Sequence, residues 1–226
     1  MDEQQGNSDH LSSSLTDLMT SLMVIFILLL LVFVSHTASK DAALSQILLK
    51  ELIKDMKPHG FNENTIHVDK SDPNAILVIV PGKLMNFDNQ KTVLKPEGQD
   101  FLKAYIPDFA SVLCDDRFRN SVESIVVEGH TDDTQWDGQS LRESQNRNIE
   151  LSQGRSMAVV REARADLDGN DREGKCFVDK LSAAGRGEQD LVLVNGVVSK
   201  DQSRRVIFRI RVKARDEENL SKELKQ

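Results

Sequence analysis

The sequence predicts an α/β chain in which one membrane-spanning helix precedes a two-layer sandwich of helices on a sheet. Three observations carry that expectation. The stretch SLTDLMTSLMVIFILLLLVFV, Ser14 to Val34, contains no Lys, Arg or Glu. Beyond it, short apolar runs of strand type alternate with longer segments of helical period. In the last run, RRVIFRIRVKA, Val206, Phe208, Ile210 and Val212 alternate with Ile207, Arg209 and Arg211, so one sheet face is apolar and the other largely charged.

About twenty residues at ~1.5 Å rise cover the roughly 30 Å of a bilayer core, so a span is expected over 15–35 after a tail of residues 1–14. A secretory leader needs a basic start, a shorter apolar core and a small-residue cleavage site. The tail MDEQQGNSDHLSSS has no Lys or Arg, and the apolar run is longer. Ser13, Asp17, Thr20 and Ser21 recur at steps of three and four and form one polar stripe. Asp17 has two readings: a helix-end residue suited to the N-terminal dipole, or an ion-carrying carboxylate facing a partner membrane subunit, with Thr20 and Ser21 lining its path. Lys40, Lys50 and Lys54 follow the span and no basic residue precedes it, which by the positive-inside rule favours a cytoplasmic C-terminal side.

A net charge of −7 argues against general nucleic-acid binding. Cys114 and Cys176 lack metal-ligand spacing and are read either as one disulfide in an oxidising compartment or as two buried thiols.

Residues 36–73 are expected to be a connector. Its helix, SKDAALSQILLKELIKDM, carries Leu44, Ile47, Leu48, Leu52 and Met56 as a stripe that would pair with a second copy or pack on the following domain. Pro58 and Gly60 end that helix, and HGFNENTIHVDKSDPN reads as a loop. The domain proper is expected over 74–214, with a polar tail at 215–226. AILVIV (Ala75 to Val80) is its first strand. PEGQDFLKAYIPDFASVL is a helix opening at Pro96 and interrupted or kinked at Pro107. VESIVVEGH is a strand. SQNRNIELSQGRSMAVVREARADL is a long helix with Ile149, Ser152, Met157, Val160 and Ala163 among its inward candidates, and LVLV (Leu191 to Val194) is a further strand.

Chemistry concentrates where a strand ends in VVEGHTDDTQWDG. Asp132 there and Arg155 on the long helix would together read a ligand bearing both an ammonium and a carboxylate group. The alternative is an internal Asp–Arg pair that pins loop to helix. His130, Asp132 and Asp133 have no second His or Cys group at ligand spacing, and Ser152 has no nucleophile setting, so neither a metal nor a cofactor nor an enzyme is expected.

VVEGHTDD, NIELSQGRSMAVV, AAGRGEQD and SRRVIFRI together resemble the OmpA-like peptidoglycan-binding domain, as does MNFDNQKTVLKPEG upstream. That resemblance implies a βαβαβ domain in which Asp132 and Arg155 hold the diaminopimelate of the wall peptide, with Thr131, Asn148, Leu151, Arg204 and Arg205 at family binding positions. The chain departs from the family pattern in a longer loop between Asp132 and Asn148 and in Ser203, where Asn is common. TDLMTSLMVIF resembles the span of MotB-like stator B subunits, and its short form with Asp-Leu-Met is more similar to the B subunit of the Zorya anti-phage defence system. The resemblance implies a homodimer inside a pentamer of A subunits, an Asp17 that carries a proton or sodium ion, and an inner-membrane protein with a periplasmic domain. It overrides the lysine count. A flagellar stator subunit and a passive wall tether are the alternatives.

Overall fold

The computed structural model describes residues 5–85, 87–167 and 172–213, with the backbone alone for 5–15 and 34–44. The expectations for the 215–226 tail and for the Ser13 and Leu44 side chains lie outside the described residues. The chain divides after Asp41 into two compact units.

In the first unit, the N-terminal part of α1 (Gln5–Met56) holds a window, Thr16–Phe33, of mean hydropathy 2.4 with none of it buried. By length and composition this window is able to cross a membrane. Because α1 begins at Gln5, Asp17 stands about three turns inside the helix. Asp17 therefore does not cap the helix: its backbone is interior helix, at the edge of the apolar window. The Thr20 hydroxyl donates to the Asp17 carbonyl oxygen at 2.9 Å, so this hydroxyl turns back onto its own helix.

The second unit is a five-stranded sheet covered on one face by helices. In chain order its elements are β1 (Ile66–Val68), β2 (Ala75–Pro81), α2 (Gly82–Met85), α3 (Pro96–Leu113), β3 (Val122–Gly129), α4 (Leu141–Asp166), α5 (Arg172–Lys180), β4 (Leu181–Gly185), a hairpin of β5 (Leu193–Val194) and β6 (Val197–Val198), α6 (Lys200–Ser203) and β7 (Arg205–Val212). The sheet order is β1-β2-β7-β3-β4. The last strand, β7, thus lies in the middle, antiparallel to both β2 and β3, while β3 and β4 run parallel across the α4–α5 crossover.

Register explains the core. Phe208 stands between Val78 and Val127, and Ile210 between Ile76 and Ile125, all fully buried. From α3, Tyr105 and Phe109 stack at 4.9 Å, and the Phe109 ring meets Phe208 edge-on at 5.3 Å. On the opposite sheet face, Arg209 donates to Glu128 at 3.1 Å and to Asp69 at 2.5 Å, which lets charge line the open side. The apolar and charged alternation read from RRVIFRIRV is the one observed.

Several local expectations are corrected. From residue 42 onward the expected connector belongs to the second unit, and its Leu48, Leu52 and Met56 are buried in the domain core. Those side chains pack on their own domain and do not form a face for a second copy; Ile47 is 51 % exposed. Within the expected loop, Ile66 is buried opposite Val78 and opens the edge strand β1. The LVLV strand is only β5, exposed and outside the main sheet; its expected place is taken by β4, LSAAG. Small residues in β4 lack the β-branched signature of a strand, but they admit α4 closely. The helix α3 runs through Pro107 without a break. Ile149 and Met157 lie exposed at the margin of α4, while Ser152, Val160 and Ala163 are buried as expected.

Cys114, just after α3, and Cys176, in α5, are joined by a disulfide with their Cα atoms 6.0 Å apart. This resolves the open choice between bridge and thiols.

Close approach of α4 to the sheet depends on Gly129. A Cβ there would lie well inside van der Waals contact distance of the Ser152 carbonyl oxygen. Gly129→Ala is expected to cost roughly 1–3 kcal/mol through this overlap. Thermal unfolding of the full chain should show a lowered Tm; an unchanged Tm would mean that α4 is free to shift.

Candidate functional site

The chain leaving the end of β3 is held on both sides. His130 donates its N–H to Arg205 O at 3.0 Å, and Thr131 donates to Gly187 O at 2.8 Å. Ser152 Oγ accepts from Gly187 N at 2.9 Å, so α4 fixes the loop that fixes Thr131. A capping box starts α4: Ser140 Oγ accepts from the Glu143 N–H, and the Glu143 carboxylate accepts from the Ser140 N–H at 2.9 Å. From that fixed start, Asn148, Ser152 and Arg155 lie on the buried face of the helix.

Asp132 follows Thr131 and has a side chain only 8 % exposed. Its Oδ1 accepts from the Thr134 N–H at 2.9 Å, and its Oδ2 accepts from Arg204 Nη1 at 2.8 Å. Arg204, at the end of α6, also pairs with Asp201. Arg155 is buried and makes no hydrogen bond to Asp132. Its Nε donates to Lys91 O at 3.0 Å and its Nη2 to Asp88 O at 3.2 Å, with the Phe87 ring 5.2 Å from the guanidinium carbon. The Asp88 carboxylate turns instead to Lys95, at 2.7 Å. An internal Asp132–Arg155 pair, one of the two readings of these residues, is therefore not what the structure contains: Asp132 is paired with Arg204.

This arrangement has an electrostatic consequence. Burial pushes the Arg155 pKa down from its ordinary value and the Arg204 charge pushes the same way, while Asp132 opposes them. Arg155 thus carries a desolvated positive charge whose hydrogen bonds go to neutral carbonyls. A ligand carboxylate would supply the missing anion through a planar fork. Asp132, with lone pairs to spare on both oxygens, would accept an ammonium group beside it.

Other expected residues fall differently. Thr131 is 3 % exposed, and its Oγ1 has no hydrogen-bond partner among the described residues. Leu151 is half-buried on α4. Asn148 is buried, with its amide used inside the protein. Arg205 is directed to the carbonyls of Ser203 and Asp190, at 3.2 and 2.9 Å, so of the two arginines it is Arg204 that stands at Asp132. Ser203 is fully buried and its Oγ accepts from the Val192 N–H at 3.0 Å, which closes the base of the β5–β6 hairpin. Asp88, Lys91, Phe87 and Trp136 were not singled out from the sequence. The first three act through backbone carbonyls or a ring face in the segment NFDNQKTV, and no side-chain chemistry there marks them.

The geometry brings a buried carboxylate, Asp132, and a buried guanidinium, Arg155, within electrostatic reach of each other at one end of a two-layer α/β domain. Comparison with known proteins narrows the fold. No protein-family model matches the chain, and no curated protein sequence does. Among solved structures, a protein from Desulfovibrio vulgaris described as MotB-like matches with a TM-score of 0.55 and 23 % identity, over 78 % of this chain and 99 % of that one. The cell wall anchor of the T6SS from Pseudomonas aeruginosa matches with a TM-score of 0.45 and 22 % identity, over 74 % of this chain and 97 % of that one. A periplasmic domain of Helicobacter pylori MotB matches with a TM-score of 0.47 and 18 % identity, over 70 % of this chain and 85 % of that one. The first of these likenesses shows the fold of the α/β domain, OmpA-like and of MotB type, which in this chain follows one apolar N-terminal helix.

Proposed function

We propose that this chain is the wall-anchoring B subunit of an ion-driven stator in the bacterial inner membrane. The observation that carries the reading is the pair of buried charges: a guanidinium whose hydrogen bonds among the described residues go to carbonyls, beside a carboxylate held by Arg204. Together they match the zwitterionic end of diaminopimelate in the wall peptide, with Arg155 on its carboxylate and Asp132 on its ammonium.

The apolar window Thr16–Phe33 is the membrane segment, with the tail in the cytoplasm and the domain in the periplasm. The Cys114–Cys176 disulfide supports that orientation against the lysine count, because such bonds persist in oxidising compartments. Asp17 is the ion carrier, for a proton or sodium. An acidic residue at the edge of an apolar membrane window is costly in lipid and belongs against protein or a water-filled path. Two copies sit within a pentamer of A-type subunits and pair through their spans, since Leu48, Leu52 and Met56 are buried in each copy's own domain.

The resemblance at the Asp-Leu-Met entry to the span supports a role in Zorya-type anti-phage defence. Co-sedimentation of the detergent-solubilised chain with isolated sacculi tests the anchor, and plating of phage on cells carrying the chain with its membrane partner tests the motor.

A further inference from the structure

Residues 133–139 between β3 and α4 contain no helix or strand, so no ladder of backbone hydrogen bonds sets the position of the Asp132 carboxylate from that side. Asn148 takes up that task. Its side chain, 4 % exposed, accepts at Oδ1 from the Trp136 indole N–H at 2.9 Å. Its Nδ2 donates to Thr134 O at 3.4 Å and to Glu188 Oε2 at 3.1 Å. The amide therefore gathers the 133–139 loop and the loop after β4 onto α4, and both of its donors are already used. Trp136 is tied twice more: its backbone N–H donates to Ser144 Oγ at 3.0 Å, and the Arg147 guanidinium lies 5.3 Å from its ring centre. Thr134, held by its carbonyl, presents its own N–H to Asp132 Oδ1 at 2.9 Å. A continuous path runs from Asn148 through Thr134 to Asp132.

We infer that Asn148 is a positioning residue for the Asp132 carboxylate, acting through Thr134 and the Trp136 loop, and does not itself touch the ligand. This rests on the wall-anchoring reading and deepens it, because it assigns Asn148 to the ammonium half of the site alone. Arg155 is positioned by Asp88 and Lys91, a separate segment, so the carboxylate half is independent of Asn148. Removing the Asn148 amide releases the Thr134 carbonyl, leaves Thr134 held, apart from its bond to Asp132, only through its hydroxyl by Lys200 Nζ at 3.1 Å, and lets Asp132 turn further toward Arg204.

The test has two arms on the full-length chain in detergent. Trp136 is the only tryptophan, so its fluorescence reports the loop directly. Asn148→Ala should shift its emission to the red, raise its acrylamide quenching about twofold, and speed hydrogen exchange across 132–139. Trp136→Phe removes the same hydrogen bond from the other side, leaves the α4 face intact, and should speed that exchange as well. Unchanged exchange in both variants would overturn the inference, whatever the ligand proves to be.

The second arm compares binding of a wall peptide ending in diaminopimelate with the same peptide acetylated on its free amine. Wild type should prefer the free amine by roughly tenfold. Asn148→Ala should lose that preference while keeping its affinity for the acetylated peptide, and combining it with Asp132→Asn should cost nothing further. Equal loss of affinity for both peptides, or multiplied losses in the double variant, would overturn the positioning role. If wild type binds neither peptide, the wall reading falls and the fluorescence and exchange arm still decides the role of Asn148.

Discussion

Arg155→Ala is expected to leave the protein in the supernatant when it is mixed with sacculi and sedimented. The buried Arg155 guanidinium is poised to form a fork with a carboxylate, and charge-assisted hydrogen bonds contribute about 1.5–3 kcal/mol. Affinity should fall roughly 10- to 100-fold. Part of any loss would come from the scaffold, since Arg155 also donates to Lys91 and Asp88 carbonyls. Arg155→Lys separates the two effects. It keeps the charge and loses the fork, so it should bind with intermediate affinity at a Tm close to wild type. Asp132→Asn tests the other half: it is nearly isosteric, keeps an acceptor for the Thr134 N–H, and removes the partner of the ligand ammonium. Sedimentation of Arg155→Ala equal to wild type would remove Arg155 from the anchor.

Asp17→Asn is the second large effect. The side chain keeps its size and loses only its capacity to bind and release a proton or to hold sodium as a counter-charge. Assembly and protein level should be unchanged, and ion-driven function should disappear. In cells carrying the chain with its membrane partner, protection against phage should fall to the level of cells lacking the chain. Retained protection at equal protein level would reduce the chain to a passive tether. If neither form protects, a swimming assay with the same pair of variants decides for the flagellar alternative.

How much of this was legible in the sequence depended on which physics each residue obeys. The apolar helix was readable because length and apolarity are properties of composition, and the window Thr16–Phe33 has both. Alternation in β7 was readable because Phe208 and Arg209 must point to opposite faces. By contrast, β4 was missed: LSAAG is selected for thinness under α4, where Cβ atoms at Gly185 would strike the Ile149 and Gln153 backbone. The partner of the connector helix was likewise hidden. A stripe of Leu48, Leu52 and Met56 has the same period whether it meets a second copy or its own sheet.

At the site, Asp132 and Arg155 were visible as residue types at a strand end and on a helix. Their relation was not. Sequence offered a direct pair, and the structure interposes Arg204 on Asp132 while backbone carbonyls hold Arg155. Carbonyl acceptors carry no sequence signature, which is why Asp88 and Lys91 had no assigned role. Asn148 shows the reverse case. Its position was flagged by resemblance, but its use, bonding Trp136, Thr134 and Glu188, depends on loops whose paths no periodicity records.

The most direct measurement is sedimentation of the wild-type chain with two kinds of sacculi, one with diaminopimelate and one with lysine in the stem peptide. Lysine offers the ammonium group without the side-chain carboxylate, so Arg155 would face no anion. The account predicts that the chain pellets with diaminopimelate sacculi and stays largely in solution with lysine sacculi. Equal sedimentation with both, or with neither, would contradict a site built for a carboxylate and an ammonium group together.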